Sequence, residues 1–146
     1  MTKKIIKENL STQFKDKIIV VTGSTQGSGA ETAKLLARRG AKGITICGRN
    51  EKKGKKVKSE IEALGTECIY VKADLENLKD CKKIISQTDK KFGTINSLIN
   101  SAAFTERGTI LSTTPKNYEK MFNINARAPF FLMQDAIKIM IRDKAK

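Results

Sequence analysis

The sequence predicts an α/β fold built on a doubly wound parallel sheet, truncated to about four strands in the order 3-2-1-4. Short β-branched runs alternate with longer amphipathic stretches, the pattern of repeated strand-helix-strand units. A glycine-rich turn joins the first predicted strand to a helix, and right-handed crossovers give this strand order. No linker or internal repeat interrupts the pattern, so we expect one domain over residues 1–146 with a polar arm over residues 1–15.

The first half of the chain contains two strand-helix pairs. Residues 17–22 are β-branched and predict the first strand, and residues 27–39 repeat alanine and leucine at helical spacing. Residues 44–48 predict the second strand. Asn50 is a favourable N-cap for the next helix, and Gly65 is a favourable residue to end it.

The second half continues the alternation. Residues 68–73 predict the third strand, residues 78–92 an amphipathic helix, and residues 95–100 the fourth strand. Thr114 precedes a proline at the first helical position and begins a long apolar helix that reaches Met140. We expect this last helix to be buried or to form an interface.

Composition and charge argue against several functions. The net charge of +14 could attract nucleic acid, but aromatic residues are only 5%, tryptophan is absent and lysine dominates, so nucleic-acid binding is not expected. The longest apolar runs fall short of the ~20 residues of a membrane helix, so no membrane span is expected. Cys47, Cys68 and Cys81 form no metal-binding pair and are expected to be buried thiols in a reducing cytoplasm.

The turn after the first strand has glycines at positions 23, 27 and 29 and opens directly into a helix. A helix N-terminus offers unpaired N–H groups and a positive dipole end to a phosphate, and no lysine follows Gly29 as it would in a Walker loop. A Cβ at Gly23 is expected to occupy space that a diphosphate needs. The residues expected to contact a dinucleotide in this turn are Gly23, Ser24, Thr25, Gln26, Ser28 and Gly29.

Together with this turn, two further segments resemble the short-chain dehydrogenase/reductase family. Asp74 and Leu75 follow the third strand, where the family has an adenine contact. Asn100, Ser101 and Ala102 follow the fourth strand, where the family has an Asn-Asn-Ala-Gly segment. The resemblance runs from about Phe14 to the last residue and implies a Rossmann-like fold, dinucleotide binding and hydride transfer between a nicotinamide and a small carbonyl or alcohol substrate.

The end of the second strand indicates which dinucleotide binds. An acidic residue there would bond the ribose 2′-hydroxyl of NAD, whereas an arginine accommodates the 2′-phosphate of NADP. The sequence has Arg49 followed by Asn50 and no acid at Gly48. NADP is therefore the expected cofactor, and the alternative is that Arg49 faces solvent and NAD binds as well.

Pro129 interrupts the hydrogen bonding of the last helix. It has no N–H and therefore cannot bond the carbonyl of Asn125, four residues earlier. The resemblance implies that the helix breaks locally here and that Asn125 takes a catalytic role by holding a water of a proton relay. A kink that serves packing alone is the alternative.

The family's catalytic Ser and Tyr-x-x-x-Lys pair have no counterpart in these 146 residues. Tyr70 and Tyr118 are followed four residues later by Asp74 and Phe122. We therefore expect this chain alone to be inactive, and the alternative function is a non-catalytic dinucleotide-binding or interaction module, a truncated product completed by another chain. The apolar last helix, an interface helix in the family, and the unpaired edge of the fourth strand predict a homo-oligomer.

Overall fold

The computed structural model describes residues 10–144, which form a four-stranded parallel sheet in the order β3-β2-β1-β4. The strands are β1 (Ile18–Val21), β2 (Gly43–Gly48), β3 (Glu67–Lys72) and β4 (Ser97–Ile99). The predicted fold class and strand order are confirmed. Residues 1–9 of the predicted polar arm lie outside the described residues.

Helices cover both faces of the sheet. They are α1 (Gly27–Arg38), α2 (Glu51–Glu62), α3 (Leu78–Phe92), α4 (Pro115–Phe122) and α5 (Ala128–Arg142). On one face, Ile19 and Val21 of β1 pack with the buried stripes of α1 and α2. On the other face, Val20 packs with α3 and α5. Successive side chains of β1 thus enter two separate cores, which is why its four residues are all apolar and buried.

The predicted caps form as the residue types suggest. The side chain of Asn50 accepts a hydrogen bond from the Lys53 N–H at 3.0 Å at the start of α2. Thr114 caps α4 by accepting from the Asn117 N–H at 3.2 Å, with Pro115 in the first turn. Helices α2 and α4 therefore begin where capping chemistry predicts them to begin.

The last predicted helix is not a single α-helix. A π-helical turn, Asn123–Arg127, separates α4 from α5, and the Ala128 N–H bonds the Asn123 carbonyl five residues earlier. Pro129, the second residue after this turn, lacks the N–H that a regular α-helix would use. The local break implied by the resemblance is therefore present as a π-helical turn.

All three cysteines are buried and free, as expected. Burial raises the pKa of the Cys47 thiol to about 12, so this group is protonated and unreactive at neutral pH. Within residues 10–144, the helices are too short or too polar to cross a membrane.

Candidate functional site

The carboxyl ends of β1 and β4 are joined by a buried hydroxyl. Thr22 Oγ1 accepts hydrogen bonds from the backbone N–H groups of Ser101 at 3.1 Å and Ala102 at 3.2 Å. Thr22 is 1% exposed, so these bonds are protected from water. The loop after β4 is thereby held against the end of β1.

Ser24 joins β1 to β2 in the same way. Its hydroxyl donates to the Val21 carbonyl at 2.5 Å and accepts from the Cys47 N–H at 3.0 Å, while its own N–H bonds the Cys47 carbonyl at 3.1 Å. Both polar groups of this predicted contact residue are therefore already occupied. Ser24 builds the turn, and its side chain does not line the adjacent cleft.

The three glycines of the turn have different roles. Gly23 has φ +61°, and a Cβ there would lie 2.6 Å from the Ala102 Cα. The Ala102 backbone therefore excludes a Cβ at this position even without a ligand, and the expectation that a Cβ would also fill diphosphate space stays a prediction. A Cβ on Gly29 would overlap the Gly23 carbonyl. Gly27 has φ +60° and open space around its Cβ position, and it lines the cleft.

A cleft of about 320 Å³ opens at these strand ends. It brings together the predicted residues Gly23, Thr25, Gln26, Ser28, Arg49, Asp74, Leu75, Ser101 and Ala102. Four residues predicted to contact the cofactor do not line it: Ser24, Gly29, Asn50 and Asn100. Asn50 is instead the cap of α2, and Asn100 is exposed.

Seven lining residues were not among the predicted contacts: Gly27, Cys47, Gly48, Ala73, Ala103, Phe104 and Ile124. The spacing of the turn glycines could have identified Gly27. At Gly48, a Cβ would lie 2.7 Å from the side chain of Thr25, a contact between distant residues that the sequence does not reveal. Ile124 belongs to the distant π-helical turn, and nothing in its local sequence predicts that it reaches this cleft.

The wall between β2 and α2 is positively charged. The Arg49 side chain is exposed and forms no ion pair with any residue from 10 to 144. Lys53 Nζ donates to Gln26 Oε1 at 2.5 Å, which links α2 to the N-cap of α1. The nearby Glu51 carboxylate is paired with Lys55 at 2.7 Å and Lys72 at 3.8 Å, and the hydrogen bond from Lys55 lowers its pKa. Arg49 is therefore available to an anionic group in the cleft.

A tight turn follows β3 at the far wall. The Asn77 N–H bonds the Asp74 carbonyl at 2.9 Å, and the Glu76 N–H bonds Asp74 Oδ1 at 3.1 Å. The Asp74 N–H donates to Asp80 Oδ2 at 2.8 Å, and this bond lowers the pKa of Asp80. Asp74 and Leu75 of this turn face the cleft.

Asn125 holds the loop after β4. Its Oδ1 accepts from the Phe104 N–H at 2.9 Å and its Nδ2 donates to the Phe104 carbonyl at 2.7 Å. The Lys120 ammonium lies 4.4 Å from the centre of the Phe104 ring. Asn125 itself does not line the cleft, but it positions a residue that does.

Comparison with known proteins gives consistent matches. A family model described as short chain dehydrogenase matches residues 17–146. An uncharacterized oxidoreductase of Thermotoga maritima is 32% identical over 127 residues, covering 87% of this chain and 49% of the relative. The chain thus spans about half the length of the curated relatives it matches.

Solved structures of similar fold include complexes with either dinucleotide. A short chain dehydrogenase from Burkholderia cenocepacia, in complex with NADP, matches with a TM-score of 0.83 and 28% identity, covering 86% of this chain and 51% of the other. An NADH-dependent reductase complexed with NAD matches with a TM-score of 0.82 and 25% identity, covering 89% of this chain and 54% of the other.

Proposed function

The chain belongs to the short-chain dehydrogenase family, and on that premise we propose that it forms the nucleotide-binding portion of an oxidoreductase acting with NADP(H). The whole protein would transfer hydride between the nicotinamide and the carbon of a small carbonyl or alcohol substrate. One observation carries the proposal: the glycine turn opens α1 into a cleft that Arg49 borders without an ion-pair partner in the described chain.

The cleft residues fit a dinucleotide. No side chain caps the N-terminus of α1, and the open space at Gly27 leaves room for a phosphate against its first turn. We propose that the diphosphate lies there, that Asp74 and Leu75 contact the adenine, and that the nicotinamide lies toward Ser101 and Ala102. When bound, the nicotinamide supplies or accepts the hydride, and this chain's residues bind and orient it.

We propose that Arg49 selects NADP(H) by pairing with the 2′-phosphate. Such charge-assisted bonds are worth ~1.5–3 kcal/mol, so Arg49→Ala should weaken NADPH binding roughly ten- to a hundredfold. Affinity for NADH should stay within about twofold because NADH lacks that phosphate.

Fluorescence titration of NADPH and NADH tests this preference. Arg38→Ala, at the opposite end of α1, is the matched control because it removes the same charge from an exposed position. Equal affinity of the unaltered chain for NADPH and NADH would refute the preference, as would an Arg49→Ala variant that still favours NADPH.

A non-catalytic dinucleotide-binding module is the second candidate. It is favoured by one observation, namely that neither Tyr70 nor Tyr118 has a lysine four residues later. A tyrosine with a nearby lysine would have the lowered pKa that proton transfer to a carbonyl oxygen requires. NADPH binding without NADPH oxidation across a panel of carbonyl compounds would support the module, and turnover would support the oxidoreductase.

We also propose that Asn125 contributes to proton transfer when the complete catalytic set is present, through a water on its main-chain carbonyl. The π-helical turn supports this because it displaces the regular hydrogen bonding around Asn125. The side chain has a different role, since both of its polar atoms bond Phe104.

We propose that a second copy of the chain packs on α4 and α5. Large apolar side chains are exposed at helical spacing along these helices, namely Tyr118, Phe122, Phe130, Met133, Ile137 and Ile141. Sedimentation velocity should show dimers or larger species that Ile137→Glu dissociates and that Gln87→Glu, at an exposed position of α3, does not. A monomeric unaltered chain at micromolar concentration would contradict this interface.

A further inference from the structure

The π-helical turn contacts loops at both outer strands of the sheet. β3 and β4 are the outermost strands, and each is followed by a loop that lines the cleft. Asn125 binds Phe104 in the loop after β4, and Arg127 binds Glu76 in the turn after β3. Two residues of one short segment therefore restrain opposite ends of the cleft.

Arg127 reaches its partner across 51 residues of sequence. Its Nη2 donates to the Glu76 carbonyl at 2.7 Å, and the contact is partly buried. Its Nε is shielded from solvent and has no hydrogen-bond partner in the described chain. A buried guanidinium N–H without a hydrogen bond destabilises the fold, and an apolar side chain would fill the same space without that cost. Packing alone therefore does not explain an arginine at this position.

The turn that Arg127 binds presents its other side to the cleft. Asp74 and Leu75 line the cleft, whereas the Glu76 carbonyl faces Arg127. The other backbone hydrogen bonds of this turn are local: Asp80 lies six residues from Asp74, and the Glu76 and Asn77 N–H groups bond back to Asp74. Its long-range side-chain contacts are the Glu76 carboxylate with Lys120 at 4.0 Å and the packing of Leu75 on the core. Arg127 thus gives it a backbone anchor on a distant helical segment.

We propose that Arg127 is a positioning residue that holds the turn after β3 in the conformation that receives the adenine end of the dinucleotide. This inference rests on the proposed function, because it assumes that a dinucleotide occupies the cleft. A turn released from this restraint would populate other conformations, and the apparent affinity would fall by the fraction that remains competent. Loss of one hydrogen bond from a charged donor corresponds to about a tenfold weaker affinity.

The test compares Arg127→Met, Arg127→Lys and the control Arg142→Met in the whole chain. Arg142 lies at the end of the same helical run and binds Asp89 and the Gly93 carbonyl, far from the cleft residues. The probes are adenosine 2′,5′-bisphosphate, titrated by calorimetry, and amide hydrogen exchange of residues 74–77 in the unliganded protein. Thermal unfolding of each variant sets a temperature at which all are folded.

We expect Arg127→Met to bind the bisphosphate about tenfold more weakly and to exchange residues 74–77 faster, and Arg127→Lys to stay within about threefold of the unaltered chain because it keeps a charged donor. Arg142→Met should lower the unfolding temperature without changing affinity. If Arg127→Met does not fold, Arg127→Lys decides: faster exchange of residues 74–77 with unchanged affinity for the bisphosphate would overturn the proposal, because the turn would be released without an effect on binding. Unchanged affinity and exchange in folded Arg127→Met would also overturn it while leaving the proposed function intact. An unaltered chain that binds neither NADPH nor the bisphosphate would instead overturn the proposed function and this inference with it.

Discussion

The turn after β1 and the loop after β4 meet at the same cleft but are held in different ways. In the turn, the buried hydroxyls of Thr22 and Ser24 form hydrogen bonds with backbone groups, and a Cβ at Gly23 would overlap Ala102. In the loop, residues 105–113 are exposed, with Ile110 97% and Leu111 94% accessible, and Asn125 holds only Phe104 at its start. The comparison indicates that the end of the cleft at the glycine turn is fixed by backbone packing and buried hydrogen bonds, whereas the opposite end depends on a few side chains.

The largest expected effect is at Gly23. Gly23→Val places a branched side chain at φ +61° and against the Ala102 backbone, so we expect loss of the folded state or destabilisation of more than about 3 kcal/mol. Gly27→Ala is the control, because it also has positive φ but has open space, so it should cost only ~1–2 kcal/mol. Urea denaturation followed by circular dichroism measures the free energy of unfolding of both variants. A Gly23→Val variant as stable as Gly27→Ala would show that the turn is not packed against β4.

The next effect is at Thr22. Thr22→Val keeps the shape of the side chain but removes the acceptor of the Ser101 and Ala102 N–H groups, and we expect a loss of about 2 kcal/mol. Thr22→Ser keeps the hydroxyl and should retain more of the stability than Val does, apart from the lost methyl group. If Val and Ser variants unfold at the same urea concentration, the hydroxyl does not hold the loop after β4.

The sequence predicted the sheet because its strands and helices have strong periodicity and each element ends at a residue with a known local preference. Arg49, Asp74 and Ser101 also meet as predicted, since parallel strands bring their carboxyl ends to one edge. The contact with Ala102 that excludes a side chain at position 23 was not predictable, because Ala102 is distant in sequence. The hydrogen bonds of Thr22, Ser24 and Arg127 were not predictable either, because bonds between side chains and distant backbone groups leave no local sequence pattern.

A smaller effect is expected at Asn125, and it should be confined to the loop after β4. Asn125→Leu removes both bonds to the Phe104 backbone, but the site is exposed and water can replace them, so we expect only about 1 kcal/mol of destabilisation. Hydrogen exchange should nevertheless increase at residues 103–105 and stay unchanged at residues 22–29. Asn117→Leu, in the neighbouring helix α4, is the control for a lost surface amide. Equal protection of residues 103–105 in both variants would mean that Asn125 does not hold this loop.

The smallest effect is expected at the tip of the loop after β4. The double variant Ile110→Ser with Leu111→Ser removes two large apolar side chains that are almost fully exposed, so the free energy of unfolding should change by less than about 0.5 kcal/mol. The matched control is Ile19→Ser, a buried isoleucine of β1, which should lose several kcal/mol because it both empties core space and buries a hydroxyl.

If the loop variant were instead destabilised by more than about 1 kcal/mol, these side chains would be covered in solution. Sedimentation at two protein concentrations would then distinguish contact with a second copy from contact within one chain. A concentration-dependent loss would place the loop tip in an interface, whereas a concentration-independent loss would mean that the loop packs on its own chain. Either result would remove the contrast between a closely packed glycine turn and an open loop after β4.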